Sequence, residues 1–171
     1  MNLVIKMKKL YIDFDGVLMD TIVHSYKMLE DQNLDTNDTE VCMNFYKNLD
    51  WDMLLEKSNE INEGFKTLQE LIDNKTYDVS ILTHVNSIDE SVAKVNLLKS
   101  KIDYIDIVIV PKNIKKADIV DPRGAILVDD FIGNLEYWEE KGGIPIRFLS
   151  RKKDDKYKTI SDLKEIFELS F

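Results

Sequence analysis

Two acidic side chains stand two residues apart in Asp13-Phe14-Asp15-Gly16, directly after the apolar run at 10–12. In an extended chain, residues i and i+2 point to the same side, so both carboxylates face one way. Gly16 lets the chain leave the strand in a conformation that is costly for other residues. Two such carboxylates repel each other unless one binds a proton or a cation lies between them. Because such arrangements concentrate in active sites, we expect chemistry at the end of this first strand.

Polar residues also follow three further apolar runs. Thr83-His84 ends the second run, the lysine-rich segment 112–116 follows the third, and Asp129-Asp130 ends the fourth. Each signal is weak alone, since threonine favours strands and lysine clusters usually lie on solvated faces. Their occurrence together, in this order, favours one shared site over four coincidences.

The elements that must position these residues alternate between strands and helices. Strands are predicted at 10–12, 77–83, 105–110, 125–128 and 144–148. Helices are predicted from Gly64, from Ser87 and over 133–141, and Ile160, Leu163 and Phe167 mark a last one. The alternation predicts an α/β fold, a doubly wound, Rossmann-like parallel sheet of about five strands flanked by helices. Ligands bind beyond the carboxyl ends of the strands in such sheets, where the polar residues fall.

Local signals set the limits of several elements. Ser87 followed by Glu90 is typical of a capping box. The helix that it starts is predicted to run through Val92, Val95 and Leu98. Pro111 is expected to end the third strand, and Pro145 places the fifth strand towards an edge of the sheet.

Residues 21–62 interrupt the alternation with three helical patterns, at 21–31, 40–48 and 51–60. We interpret this segment as a small helical cap inserted after the first strand, with residues 1–20 and 63–171 forming the α/β core domain. Three aromatic residues of the insert, Phe45, Tyr46 and Trp51, would be placed to stack on a nucleobase or would form the core of the cap. We retain Trp51 as a candidate substrate-binding residue.

Composition narrows the classes of partner. Apolar residues make up 44% of the 171, which is enough for a sizeable core, and the formal net charge is −9. That charge argues against nucleic acid polymers and anionic membranes as partners. With Cys42 as the only cysteine, no intramolecular disulfide can form, and a cytoplasmic setting is expected. No stretch is expected to span a bilayer, the apolar run at 3–5 is too short for a signal peptide, and no oligomeric state is indicated.

The segment 13–21, Asp-Phe-Asp-Gly-Val-Leu-Met-Asp-Thr, resembles the first signature of the haloacid dehalogenase-like hydrolases, most of which are phosphatases. The order of acid pair, threonine, lysine and second acid pair is also similar to the four motifs of that superfamily. Response-regulator receivers use the same residue types, but there the lysine comes last. The resemblance covers about 8–20 and 64–150 and does not extend to the insert.

Within the superfamily, Leu127-Val128-Asp129-Asp130 followed by Trp138 looks most like the 5′(3′)-deoxyribonucleotidase branch. The small helical insert straight after the first motif agrees with that branch. Two features depart from it: Thr83-His84 stands where the branch commonly has Thr-Ser, and the segment 118–124 is longer. The departures leave the expected chemistry intact and put the nucleotide substrate in question.

The resemblance implies a role for each motif residue. Asp13 would be the nucleophile that forms an aspartyl-phosphate, and Asp15 would protonate the leaving oxygen and then deprotonate the attacking water. Mg²⁺ would be held by Asp13, the backbone carbonyl of Asp15 and Asp130, with Asp129 bound directly or lying behind them. Thr83 would donate a hydrogen bond to the transferring phosphoryl group.

The family's lysine could be any of three residues. Lys116, followed by Ala-Asp-Ile-Val, aligns best with the lysine that pairs with the phosphoryl charge and with the nucleophile, and Lys115 and Lys112 are alternatives. His84 would contact the phosphate or steer the leaving group, or it is a structural histidine with its hydrogen bonds satisfied.

These residues predict a Mg²⁺-dependent phosphatase that hydrolyses a small phosphomonoester, a nucleotide 5′-monophosphate among the candidates. The alternatives are a phosphomutase of the same fold, whose cap would exclude water, and a non-catalytic module that binds phosphorylated ligands. Dehalogenation fits less well, because Asp15 and the second acid pair suit Mg²⁺ chemistry.

Overall fold

Six parallel strands form the centre of the molecule. The structure is a computed structural model, and it describes residues 7–149 and 156–171, so the predicted run at 3–5 lies outside the described residues. The strands are β1 (Lys8–Ile12), β2 (Tyr77–Val85), β3 (Asp106–Pro111), β4 (Ile126–Asp129), β5 (Ile144–Phe148) and β6 (Lys158–Ile160). Their order across the sheet is β3-β2-β1-β4-β5-β6, and every neighbouring pair is parallel. The predicted doubly wound α/β fold is confirmed.

The strand order reverses its direction at β1. The chain moves outwards from β1 through β2 to β3, then returns to place β4 on the other side of β1. A crevice therefore opens beyond the carboxyl ends of β1 and β4, where loops leave towards opposite faces of the sheet. Residues 10–12 of β1 and 126–128 of β4 are apolar and buried, as expected where helices cover both faces.

The sheet differs from the sequence-based prediction at the edge beyond β5. A sixth strand, Lys158–Ile160, pairs with β5, so Ile160 lies in a strand and β5 is not an edge strand. Pro111 is the last residue of β3, as predicted, and β3 tolerates it because this strand is the opposite edge of the sheet. Polar Lys158 and Thr159 gave β6 no apolar pattern to detect.

Within residues 7–149 and 156–171, seven α-helices connect the strands. They are α1 (Thr21–Asp31), α2 (Thr39–Asn48), α3 (Trp51–Lys57), α4 (Gly64–Asn74), α5 (Ile88–Lys101), α6 (Lys116–Ile119) and α7 (Ile132–Glu140), and a 3₁₀ helix spans Leu163–Glu168. The last of these replaces the predicted final α-helix. None of the described helices is long and apolar enough to cross a membrane.

The two chain segments that connect the insert to the sheet lie side by side. Met19 and Glu60 form an isolated antiparallel bridge, and the backbone N–H of Ile61 donates to the carbonyl of Leu18 at 2.9 Å. The Asp20 carboxylate accepts from the backbone N–H of Asn59 at 2.5 Å and from its side-chain amide at 3.1 Å. Asp20 thus clamps the entry and exit of the insert together instead of capping α1 with its side chain.

The hydrophobic core continues from the sheet into the insert. One cluster of buried residues joins β1 residues such as Leu10 and Ile12 with Leu29, Trp51 and Leu54 of the insert. A second cluster on the other face of the sheet includes Trp138, whose indole N–H donates to the carbonyl of Ala125 at 3.0 Å. Apolar contacts, and not the two connecting segments alone, therefore hold the insert in place.

Candidate active site

Asp13 directly follows β1 and lies beside the end of the neighbouring strand β4. The backbone N–H of Asp13 donates to the carbonyl of Val128 in β4 at 2.9 Å, which brings the two strand ends together. Gly16 has a φ of +71°, and a Cβ at this position would overlap the Asp130 carboxylate. Glycine is therefore required for two reasons: the left-handed turn and the close approach of the second acid pair.

Lys116 joins Asp13 to Asp129. Its Nζ lies 2.9 Å from Asp13 Oδ1 and 2.6 Å from Asp129 Oδ2, and all three side chains are buried. Burial disfavours the ammonium form, but the two carboxylates outweigh it and raise the pKa of Lys116. The lysine that the sequence aligned best is the one in contact with the acids.

The other two candidate lysines lie elsewhere. Lys112 lines the mouth of the site cavity and is exposed, and Lys115 precedes α6 with its Nζ 5.9 Å from the ring centre of Tyr137. Neither forms an ion pair with an acidic residue among the described residues. Of the three lysines, Lys116 alone therefore neutralises part of the acidic cluster.

Asp129 is held by three donors. Besides Lys116, it accepts hydrogen bonds from the backbone N–H of Phe131 at 2.9 Å and from the side-chain amide of Asn134 at 2.9 Å. Asp129 is fully buried, whereas Asp130 faces the site cavity. The geometry thus gives the two adjacent acids different environments, as the ligand prediction requires.

Carboxylate oxygens of Asp13, Asp129 and Asp130 lie within 4.8 Å of one another. Burial raises the pKa of Asp13 to about 7 against the opposing effect of Lys116, and burial together with Asp13 raises the pKa of Asp130 to about 8. Asp13 Oδ1 is buried and accepts no hydrogen bond from the described residues, although Lys116 pairs with it. One ammonium group against three carboxylates leaves a site that requires a proton or a cation. Oxygen-only donors suit Mg²⁺, so the residues fit the predicted metal.

Asp15 belongs to a separate group of charges. Its Oδ1 accepts from the Thr21 hydroxyl at 2.7 Å, and its Oδ2 pairs with Lys94 Nζ at 2.5 Å. Lys94 is fully buried and pairs also with Glu90 at 2.6 Å. Burial opposes the charged form of Lys94, but Asp15 and Glu90 more than compensate and raise its pKa.

The sequence predicted the helix that carries this second lysine but did not single out Lys94. Val92 is half exposed, whereas Lys94 and Glu90 are buried. The Ser87 hydroxyl caps the helix by accepting from the backbone N–H of Glu90, but the Glu90 carboxylate accepts from the N–H of Asn86 and binds Lys94. A glutamate and a lysine four residues apart normally indicate a solvated pair, so the spacing gave no signal of burial.

Thr83 and His84 lie inside β2, two residues and one residue before its end, respectively. Thr83 is fully buried, and its hydroxyl contacts Lys94 at 3.3 Å and the carbonyl of His84 at 3.3 Å. His84 lines the cavity, and its Nε2 lies 2.9 Å from the carbonyl of Ile114. Burial lowers the pKa of His84 to about 4, so the ring is neutral near pH 7 and Nε2 carries the proton donated to Ile114. Their predicted contacts with the phosphoryl group stay predictions.

A cavity of about 390 Å³ opens over these strand ends. Its walls come from the loop after β1, from the insert and from the loops after β2 and β4. They include Asp13, Asp15, Tyr26, Tyr46, Trp51, His84, Asn86, Lys112, Asp130 and Phe131. A larger concavity of about 500 Å³ within the insert contains none of the predicted site residues. The acidic cavity is therefore the candidate active site.

Of the three aromatic candidates, Phe45 is buried in the insert and does not line this cavity. Trp51 lines it with only 5% of its surface exposed, and Lys94 Nζ lies 5.0 Å from the centre of its ring. Tyr46 lines it as well, with its hydroxyl 3.1 Å from the Ser25 hydroxyl. Substrate binding by Trp51 stays a prediction.

Solved structures resemble this chain along almost its whole length. No protein-family model matches the sequence, and no curated protein sequence matches it either. A HAD phosphatase from Thermococcus onnurineus matches with a TM-score of 0.62, 15% identity, and coverage of 95% of this chain and 97% of that one. The chain has the fold of the haloacid dehalogenase-like hydrolases.

Two further neighbours support the assignment of the fold. A haloacid dehalogenase-like hydrolase from Streptococcus pneumoniae has a TM-score of 0.60 and 14% identity, covering 95% of this chain and 97% of its own. D,D-heptose 1.7-bisphosphate phosphatase from B. bronchiseptica, complexed with magnesium and phosphate, has a TM-score of 0.57 and 13% identity, with coverage of 95% and 97%. At such identities the comparison extends to the fold, and the chemistry must be argued from the residues.

Proposed function

We propose that the protein is a Mg²⁺-dependent phosphatase that hydrolyses small phosphomonoesters through an aspartyl-phosphate. The observation that carries the proposal is the ion-paired group Asp13–Lys116–Asp129 beside Asp130 at the end of β1. A phosphate monoester is an anion and resists attack by a carboxylate. Buried positive charge beside the nucleophile lowers that barrier, since electrostatic stabilisation is strongest where water is excluded.

The chain's own residues divide the reaction between them. A carboxylate oxygen of Asp13 attacks phosphorus, the ester P–O bond breaks, and Asp15 gives its proton to the leaving oxygen. Asp15 then removes a proton from water, whose oxygen attacks phosphorus, so that the Asp13–phosphorus bond breaks and inorganic phosphate leaves. Lys116 holds Asp13 in place and pairs with the charge of the transferring group.

Asp13, Asp130 and the backbone carbonyl of Asp15 would hold the metal ion, and Asp129 would orient the group from behind through Lys116 and Asn134. When bound, Mg²⁺ supplies neutralising charge for the phosphoryl oxygens. The insert would act as a cap, because it closes one side of the cavity and contributes no acid to the metal-binding cluster. Specificity, for a nucleotide monophosphate or another small phosphomonoester, would then depend on the cap.

The test is release of inorganic phosphate from p-nitrophenyl phosphate and a panel of phosphomonoesters, with Mg²⁺ and with EDTA. We expect Mg²⁺-dependent turnover by the wild-type protein. Asp13→Asn should lower it by about a thousandfold or more, since it removes the nucleophile and keeps the side-chain shape. The control is an unchanged circular dichroism spectrum of Asp13→Asn. Phosphomonoester binding without turnover would instead indicate a non-catalytic module.

A further inference from the structure

Lys94 is a buried cation that the proposed mechanism does not yet use. It lies on α5 with no exposed surface, and its Nζ contacts the carboxylates of Asp15 and Glu90 and the carbonyl of His84 at 3.0 Å. Burial of an ammonium group costs several kcal/mol unless charged partners compensate it. The charged partners of Lys94 must therefore explain why its ammonium group is buried.

The site's two buried lysines pair with different acids. Lys116 binds Asp13 and Asp129, which belong to the group of three carboxylates that could hold a metal ion. Lys94 binds Asp15, whose carboxylate is not part of that group. Asp15 and Asp13 thus have different lysine partners, although they stand only two residues apart.

The position of Lys94 is itself fixed from several sides. Its Nζ lies 5.4 Å from the ring centre of Phe14 and 5.0 Å from that of Trp51. Glu90 is anchored by the backbone N–H of Asn86 at 2.6 Å, so it cannot follow a displaced lysine freely. Phe14 belongs to the loop after β1 and Trp51 to the insert, and the ammonium group is therefore held between both.

We propose that Lys94 is a positioning residue for Asp15, holding this carboxylate on the leaving-group side of the cavity and away from the metal-binding carboxylates. The inference rests on the proposed phosphatase function. Asp15 Oδ2 is tied to Lys94 and Oδ1 to Thr21, while the side chain still lines the cavity. Without Lys94, the freed carboxylate could turn towards a cation bound at Asp13 and Asp130, where it could no longer serve the leaving oxygen.

The experiment compares leaving groups in Lys94→Met. Loss of a positioned general acid affects an alkyl phosphate, whose leaving oxygen needs a proton, far more than p-nitrophenyl phosphate, whose leaving group departs as a stable anion. We expect kcat/KM to fall about a hundredfold for ethyl phosphate and less than about tenfold for p-nitrophenyl phosphate. The ratio kcat/KM is used because it includes steps only up to the first P–O cleavage.

A second readout is the dissociation constant of Mg²⁺ itself, measured by calorimetry. Removal of an ammonium group makes the site more negative and frees a carboxylate, so Mg²⁺ should bind more tightly to Lys94→Met than to the wild type. Mere structural damage would weaken Mg²⁺ binding instead. Lys99→Met, an exposed lysine on the same helix, is the matched control and should leave both readouts unchanged.

Equal losses on both esters, or weaker Mg²⁺ binding, would overturn the role of Lys94 and leave the phosphatase proposal standing. Wild-type protein inactive on every phosphomonoester would overturn the phosphatase proposal instead. Lys94→Gln, neutral but still a hydrogen-bond donor, should show the same pattern where the methionine variant does not fold. If neither variant folds and Lys99→Met does, Lys94 has a purely structural role and the proposal is wrong.

Discussion

Among the described carboxylates of the site, Asp130 is the one whose negative charge is least compensated by nearby cations. It faces the cavity on the far side of Gly16, and among the described residues no cation forms an ion pair with it. Its neighbour Asp129, by contrast, has Lys116 and two further donors. Two adjacent residues of one type therefore have different environments: Asp129 is fixed by three donors, and Asp130 faces the cavity.

At the residue scale, the raised pKa values predict how the metal-free protein responds to pH. The pKa of Asp130 rises from 3.8 to about 8 in the folded protein, mainly through burial, and that of Asp13 rises to about 7. Between pH 4 and 8 the unfolded chain therefore binds fewer protons than the folded one, so the free energy of unfolding should fall as pH rises. Urea unfolding in EDTA at several pH values measures it.

Asp130→Asn should flatten this dependence, and Asp103→Asn, at an exposed position, should not. A slope that is identical in wild type and Asp130→Asn would contradict the assignment of the titration to Asp130.

Lys116 and Lys112 provide a matched pair of substitutions. Lys116→Ala should lower kcat by about a hundredfold or more, because it removes charge beside the transferring phosphoryl group. It should also destabilise the fold by roughly 3–5 kcal/mol, since Asp13 and Asp129 would remain buried without a cation. Lys112→Ala should change either quantity little. Kinetics on the folded fraction and urea unfolding measure the two effects, and a larger loss of turnover in Lys112→Ala would contradict the assignment.

At the scale of elements, Trp51 and Lys94 connect α3 to the loop that follows β1. Trp51 begins α3, is buried in the continuous apolar cluster, and stacks over Lys94, which binds Asp15. The insert therefore contacts the proposed acid–base residue twice, directly through the Thr21 hydroxyl and indirectly through Trp51 and Lys94, although it supplies no acid to the metal-binding cluster. A cap held this firmly is suited to shaping a cavity and excluding water.

Substitution of Trp51 separates packing from substrate contact. Trp51→Ala should destabilise the protein by roughly 3–5 kcal/mol, because a buried indole is lost. Trp51→Phe should preserve folding and raise KM more for a nucleotide monophosphate than for p-nitrophenyl phosphate, which uses little of the cap. Met43→Ala, on an exposed part of α2, is the control. Equal effects on the two substrates would show that Trp51 serves packing alone.

At the scale of the whole molecule, the strand order brings the acids together. Asp13 follows β1 and Asp129 ends β4, and these strands are direct neighbours although 116 positions separate the two residues. The protein's net charge of −9 adds to the local excess of carboxylates. Folding therefore works against electrostatic repulsion at this site, and a bound cation should relieve it.

Mg²⁺ should accordingly raise the melting temperature, because it binds a site that the unfolded chain lacks. At a hundred times the dissociation constant the stabilisation would be about 2.7 kcal/mol. Asp130→Ala should remove most of the shift with little loss of stability in EDTA. Asp129→Ala should lower the melting temperature even in EDTA, since Lys116 loses a partner. Coincident melting curves with and without Mg²⁺ in the wild type would contradict the metal site.

Much of this architecture is determined by the sequence itself. Continuous apolar runs indicated five of the six strands, and helical periodicity indicated the helices of the insert, because elements buried against the sheet need apolar residues at those positions. The acids at 13, 15, 129 and 130 were found because polar residues at the end of buried strands stand out from their surroundings. Lys116 followed from its alignment with a known motif.

Only the tertiary structure determined which side chains are in contact and which are shielded from water. It brought Lys116, and not Lys112 or Lys115, against Asp13, and it gave Asp129 and Asp130 different environments by burying one of them fully. It also placed Lys94 beneath Trp51, with Asp15 as its partner. The sequence around a charged helical residue does not show whether that residue is solvated or buried. The environment of Lys94, for example, is formed by chain segments up to 79 residues away.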